Sequence, residues 1–183
     1  MFSARNTGAA VVLWAALTAA AGAHPAPAPK QPPAPKPADD TRVVTTEPIH
    51  ALVLPMKGSY SQHQAAFERL AGFLAGRGAA PAGAPFARYF SDPSKGEADL
   101  LWEVGFPVAT GVAAEAPFEV KDLPATLAAV HVHRGPYEQL ATAWPVLVQW
   151  VISNGYQPAG SPVQVFQGDP SAPAVEMRLP VQK

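Results

Sequence analysis

The chain contains no cysteine. Disulfides, zinc–thiolate centres, iron–sulfur clusters, thiol nucleophiles and a lipoprotein anchor are therefore excluded. Charge is also sparse: Asp, Glu, Lys and Arg make up 15% of the residues, and the net charge is −1. A nucleic-acid binder carries a basic stripe or patch, and no such excess exists here. The G-x-S-x-G elbow, the H-E-x-x-H zinc motif and the phosphate-cradling glycine loop are all missing. The strong enzyme signatures are absent.

Proline is what the chain has in excess, with 22 in 183 residues, seven of them between positions 24 and 40. Residues 1–23 ahead of that window read as an export signal. Arg5 supplies the positive start, Gly8 to Ala21 a mostly apolar run, and Ala21-Gly22-Ala23 a small-residue cleavage site that leaves His24 first. The run is short for a permanent span, which needs ~20 apolar residues. Left uncleaved, it would be an inner-membrane tether and the chain's one membrane contact. The expected location is the periplasm or the extracellular space. Residues 24–46 read as a Pro/Ala-rich tether, extended because proline fixes φ and removes amide donors. The folded domain is expected over 47–183.

An internal repeat dominates that domain. Sliding the sequence by 77 places lays Gly58 and Tyr60 on Gly135 and Tyr137, Phe67 on Trp144, and Leu70 on Leu147. The same offset lays Pro81-Ala82-Gly83 on Pro158-Ala159-Gly160, Tyr89 on Phe166, and Asp92-Pro93 on Asp169-Pro170. Closing four residues then lays Glu103 on Glu176 and Pro107-Val108 on Pro180-Val181. The domain is two copies of one unit, 47–108 and 117–183.

Each unit reads β-α-β-β. The β-rich runs His50–Met56 and Thr126–His133 each lead into a Gly-x-Tyr turn. Phe67, Leu70 and Leu74, and then Leu140, Trp144, Leu147 and Val151, recur at helical spacing. Strands are expected at 86–91, 100–108, 163–167 and 175–181, with Asp-Pro turns between them. Pro145 falls inside the second helix and is expected to kink it. Neither unit covers its own helix face. The economical arrangement is an α+β domain, with an antiparallel sheet carrying two helices on one face and a pseudo-twofold groove at the seam.

Aromatics and carboxylates carry what chemistry there is. Tyr60 and Tyr137 occupy matching helix starts, Tyr89 and Phe166 match on the third strands, and Trp102-Glu103 lies on the last strand of the first unit with Glu176 at the matching place in the second. Lining the seam, these residues form an aromatic cleft suited to flat or cationic organic molecules. The alternatives are turn-locking hydroxyls for Tyr60 and Tyr137, and a solvent-facing strand position for Glu103. His131 and His133 share a strand face and offer either two metal or haem ligands or a plain edge-strand pair. His24, His50 and His63 read as isolated.

The segments Leu123-Pro124-Ala125, His131–Tyr137 (HVHRGPY), Trp144–Gly155 and Ser161–Val181 resemble the GyrI-like small-molecule-binding domain. This is also the effector-binding domain of AraC-type and MerR-type multidrug regulators. The resemblance spans about residues 47–182 and implies a tandem β-α-β-β fold with a ligand groove between repeats. It implies a glutamate where this chain has Gln164, and a tyrosine where it has Phe166. Some members are similar to hydrolases of electrophilic toxins that rely on that glutamate, and the related haem-binding SOUL fold shares the duplication. The expected ligand contacts are Tyr60, Tyr89, Trp102, Glu103, Tyr137, Gln164 and Phe166. The expected partner is a small organic molecule, with no metal, cofactor or catalytic residue. Residues 1–46 hold no helix-turn-helix, so no nucleic-acid partner is expected. The rival expectations are a hydrolase of reactive xenobiotics, a SOUL-like tetrapyrrole binder, and a partner-binding module acting through the Pro-rich arm.

Overall fold

The computed structural model describes residues 41–92, 94, 96–167 and 173–183. The leader, the Pro-rich segment and the second Asp-Pro turn lie outside these residues. Nine strands and two helices follow in the order β1 (Arg42–Thr45), β2 (Ile49–Lys57), α1 (His63–Gly76), β3 (Phe86–Tyr89) and β4 (Leu101–Pro107). The second unit gives β5 (Glu119–Leu123), β6 (Leu127–Arg134), α2 (Leu140–Ser153), β7 (Gln157–Pro158), β8 (Val163–Gln167) and β9 (Ala174–Gln182). The duplicated β-α-β-β order holds, and each copy gains a strand in front. Arg42–Thr45, expected in the tether, is a strand of the domain.

That extra strand ties the copies together. β1 belongs to the first unit but pairs with β6 of the second, and β5 belongs to the second but pairs with β2 of the first. Arg42 lies opposite Val130, Ile49 opposite Leu123 and Val53 opposite Glu119, a single unbroken register. Thr46 keeps it at the crossing, where its N–H donates to the Thr126 carbonyl at 2.8 Å. Segments 42–53 and 119–130 thus form one long antiparallel ribbon. The remaining strands complete the order β1-β6-β9-β8-β3-β4-β2-β5, with β7 on β9 and all pairs antiparallel.

This order cannot lie flat. β1 and β2 are six strand spacings apart along the path, or ~29 Å in a flat sheet. The three residues joining them reach only ~14 Å. The sheet therefore curls back on itself through the ribbon. At the seam opposite the ribbon, β3 meets β8 with Ala87 against Gln164, two positions that the 77-residue offset superposes. The pseudo-twofold axis passes between them.

Both helices pack on one face of this sheet. Ala66, Leu70 and Leu74 of α1 bury against Leu52, Leu54, Trp102 and Val104. Leu140, Leu147 and Val151 of α2 bury against Ala129, Val175, Met177 and Leu179. Each fully buried leucine contributes about 1.5–3 kcal/mol. Pro145 does not end α2, which runs unbroken through it. Ala141 and Pro145 are both exposed, so the carbonyl deprived of its partner is open to water. Among the described residues, no helix is long and apolar enough to cross a membrane.

The other sheet face carries a separate core of Ala51, Val53, Phe86 and Val165. There the Phe86 ring lies on Gly105, its cross-strand partner, so closely that a Cβ on Gly105 would stand 2.4 Å from a ring carbon. Phe86 is 1% exposed and has little room to retreat. Gly105→Ala should therefore destabilise the domain by about 1–3 kcal/mol through overpacking. Adding Phe86→Val should recover part of that loss. Thermal unfolding of the single and double variants measures both effects.

Candidate functional site

Where α1 meets the seam, rings from both repeats converge. Gly58 ends β2 in the left-handed region at φ +105°, a conformation glycine adopts without strain. This turn lets Tyr60 open the 3-10 turn ahead of α1. The Trp102 indole N–H donates to the Gly58 carbonyl at 2.9 Å and pins the turn from below. The Tyr60 ring then stands edge-on to Tyr89 at 5.0 Å and to Trp102 at 5.8 Å. His63 and Phe67, one turn apart on α1, both face Phe166 of the second repeat, at 6.2 and 5.5 Å. Tyr137 reaches the same Phe166 ring from the far side at 6.1 Å. Edge-to-face packing of this kind stabilises by about 0.5–1.5 kcal/mol per pair beyond area burial.

A polar chain threads the rings. The His63 Nδ1–H donates to the Tyr60 carbonyl. His63 Nε2 lies 3.0 Å from the Tyr89 hydroxyl, which lies 2.7 Å from Gln164 Oε1 and donates to it. The last link crosses the seam, joining β3 to β8.

The Tyr60 carbonyl only accepts, so Nδ1 of His63 carries a proton. In the neutral imidazole Nε2 has no proton and turns its lone pair to the Tyr89 hydroxyl, whose own proton goes to Gln164 Oε1. Burial holds the His63 pKa below its ordinary value, opposed by the bond to the Tyr60 carbonyl. The neutral form therefore prevails at neutral pH. Burial also raises the pKa of both phenols, with Tyr60 adding to the effect at Tyr89. Neither phenol ionises near neutrality.

The structure brings together Tyr60, Tyr89, Gln164, Phe166 and, at the rim, Tyr137, which is 49% exposed. Trp102 lies beneath them at 1% exposure, a support for the ring wall. Glu103 stands elsewhere. Strand alternation turns it to the opposite sheet face, where it accepts from Arg88 Nη1 at 2.8 Å and Lys121 Nζ at 2.9 Å. Burial alone would lower the Lys121 pKa, but its bonds to Glu103 and Glu119 and their charges raise it overall. Glu176 shares that face and pairs with Arg178 Nε at 2.5 Å.

Sequence reasoning missed His63 and Phe67. The signal was present: three and four residues of helical spacing put Tyr60, His63 and Phe67 on one face. A lone histidine without a repeat partner gave no reason to look there, since Leu140 holds its place in the second unit. His131 meets Thr41 Oγ1 at 2.9 Å, and His133 meets the Pro136 carbonyl at 3.2 Å. Among the described residues, no group of three or more His, Asp or Glu side chains is placed to hold a metal ion.

The depressed His63 pKa sets a pH dependence. Below the unfolded value of about 6.5 the unfolded chain takes up a proton that the folded chain refuses, so stability falls from there down to the folded value. His63→Gln removes this contribution. Melting curves between about pH 7.5 and 5.5 should show wild type losing more stability than the variant. Equal slopes would reject the buried neutral imidazole.

The geometry has known counterparts. EcmrR bound to DNA superposes with a TM-score of 0.69 at 21% identity, covering 78% of this chain and 57% of that one. The EcmrR C-terminal domain alone gives 0.65 at 22% identity, covering 78% of this chain and 97% of the domain. This chain thus spans little more than half of the regulator as seen on DNA. A hydrolase from Listeria innocua gives 0.58 at 11% identity, covering 80% and 93%. At these identities the likeness is one of fold. No curated protein matches the sequence. The family model for the GyrI-like small molecule binding domain matches residues 39–170. With the repeat, the curled sheet and the paired helices, that match makes the chain a member of the GyrI-like small-molecule-binding domain family.

Proposed function

We propose that the protein binds flat, aromatic organic molecules at the seam, between Tyr60 and Tyr89 on one side and Gln164, Phe166 and Tyr137 on the other. The observation that carries this reading is the Tyr89–Gln164 bond of 2.7 Å inside a ring cluster drawn from both repeats. Rings supply stacking and dispersion, while one amide and three phenols supply orientation. Among the described residues, the cluster contains no carboxylate. A neutral amide hydrogen-bonds a ligand but does not balance a cation, so the favoured ligands are uncharged hydrogen-bonding aromatics. Hydrolysis at the seam is disfavoured, since Glu103 and Glu176, the two acids a hydrolase reading would use, are both paired on the other face.

We further infer an exported protein, held by or released from its leader, on the pattern Arg5, Gly8–Ala21 and Ala21-Gly22-Ala23. Its ligands would be met outside the cytoplasm. Mass spectrometry of the protein from a periplasmic extract should give a chain starting at His24. A chain retaining Met1 in the soluble fraction would reject export by this signal.

The binding reading is tested by a panel of uncharged and cationic aromatic dyes followed by thermal shift and calorimetry. Gln164→Glu should shift preference toward a cationic dye, strengthening its binding by about tenfold. Phe166→Ala should weaken uncharged dyes. Unchanged affinity for both variants would remove the seam as the binding site.

A further inference from the structure

The two repeats diverge sharply at one cross-strand pair on the face away from the helices. In the first repeat the pair is Phe86 and Gly105, with the ring filling the space above the glycine. In the second repeat the same places hold Val163 and Arg178, again directly opposite each other. An aromatic plug has been exchanged for a small side chain and a guanidinium. The curled sheet leaves an open cleft of about 190 Å³ on that side. Its walls include Ile49, Phe86, Leu123 and Val163, and both Arg88 and Arg178 line it. The carboxylate lining it is Glu47, which is exposed.

We propose that this cleft is a second ligand site, distinct from the seam, that takes a small organic monocarboxylate. An unpaired positive charge in an apolar cleft is costly, and each arginine here is anchored by a neighbour rather than spent on it. Arg178 gives its Nε–H to Glu176 and Arg88 one terminal nitrogen to Glu103, at 2.5 and 2.8 Å. A guanidinium has five N–H donors in a planar fork. One such contact fixes the fork and leaves its other donors to grip a planar carboxylate. The volume suits a single ring or a short branched chain, well below the 300–1,000 Å³ of drug-sized sites. That body would lie on the Phe86 ring and against Val163, Ile49 and Leu123. Phosphate or sulfate, lacking an apolar body, would leave those walls uncovered.

Benzoate is the probe, with benzamide as its uncharged isostere, titrated into the full chain by calorimetry. Wild type should bind benzoate saturably and benzamide far more weakly. Arg178→Gln should weaken benzoate by about tenfold. Val163→Phe, which restores the aromatic plug of the first repeat, should abolish binding while leaving uncharged dyes at the seam unaffected. Should Val163→Phe fail to fold, Arg178→Gln decides alone. No saturable benzoate binding by wild type, or benzoate binding unchanged in Arg178→Gln, would overturn the proposal.

Discussion

Two halves of this domain hold together because each lends a strand to the other. The ribbon of 42–53 against 119–130 keeps one register across the crossing at Thr46 and Thr126. Two consequences follow from covalent reach alone. The sheet must curl, because three residues cannot span a flat one, and the repeats must meet at β3 and β8, the strands furthest from the ribbon. The seam and the open cleft are two products of that closure, one on the helix side and one on the other.

On this near-symmetric frame the chemistry is asymmetric. At the axis Ala87 faces Gln164, so one polar side chain serves both halves. Around it the first repeat supplies His63, Tyr89 and Trp102 where the second supplies Leu140, Phe166 and Val175. Polar atoms therefore cluster on one side of the seam, and the phenol of Tyr89 carries them across to Gln164. Behind the sheet the bias is reversed. There the first repeat is plugged by Phe86, and the second opens beside Arg178. Duplication gave the scaffold twice, and substitution at facing positions gave each side its own character.

Much of this was legible in the sequence, because a repeat doubles the evidence for every element. The helices, the four closing strands and the seam follow from apolar periodicity and from the aligned Gly-x-Tyr and Pro-Ala-Gly segments. The strand exchange was not legible. Arg42–Thr45 is a four-residue strand whose partner lies in the other repeat, and neither propensity nor spacing encodes a partner so distant. Glu103 illustrates a second limit: strand alternation separates it from its neighbour Trp102, but which of the two faces the helices depends on packing. Tyr89, Gln164 and Phe166 were singled out from the repeat and the family resemblance, and they lie together at the seam. His63 has no repeat counterpart, and only the folded chain places it beside Tyr89.

An uncharged aromatic ligand bound at the seam would lie against rings from both repeats. Intermolecular nuclear Overhauser contacts between such a ligand and the labelled protein test this directly. Contacts are expected from the ligand ring to both Tyr89 and Phe166, one from each repeat. Contacts confined to one repeat, or to the sheet face that carries Arg88 and Arg178, would contradict it.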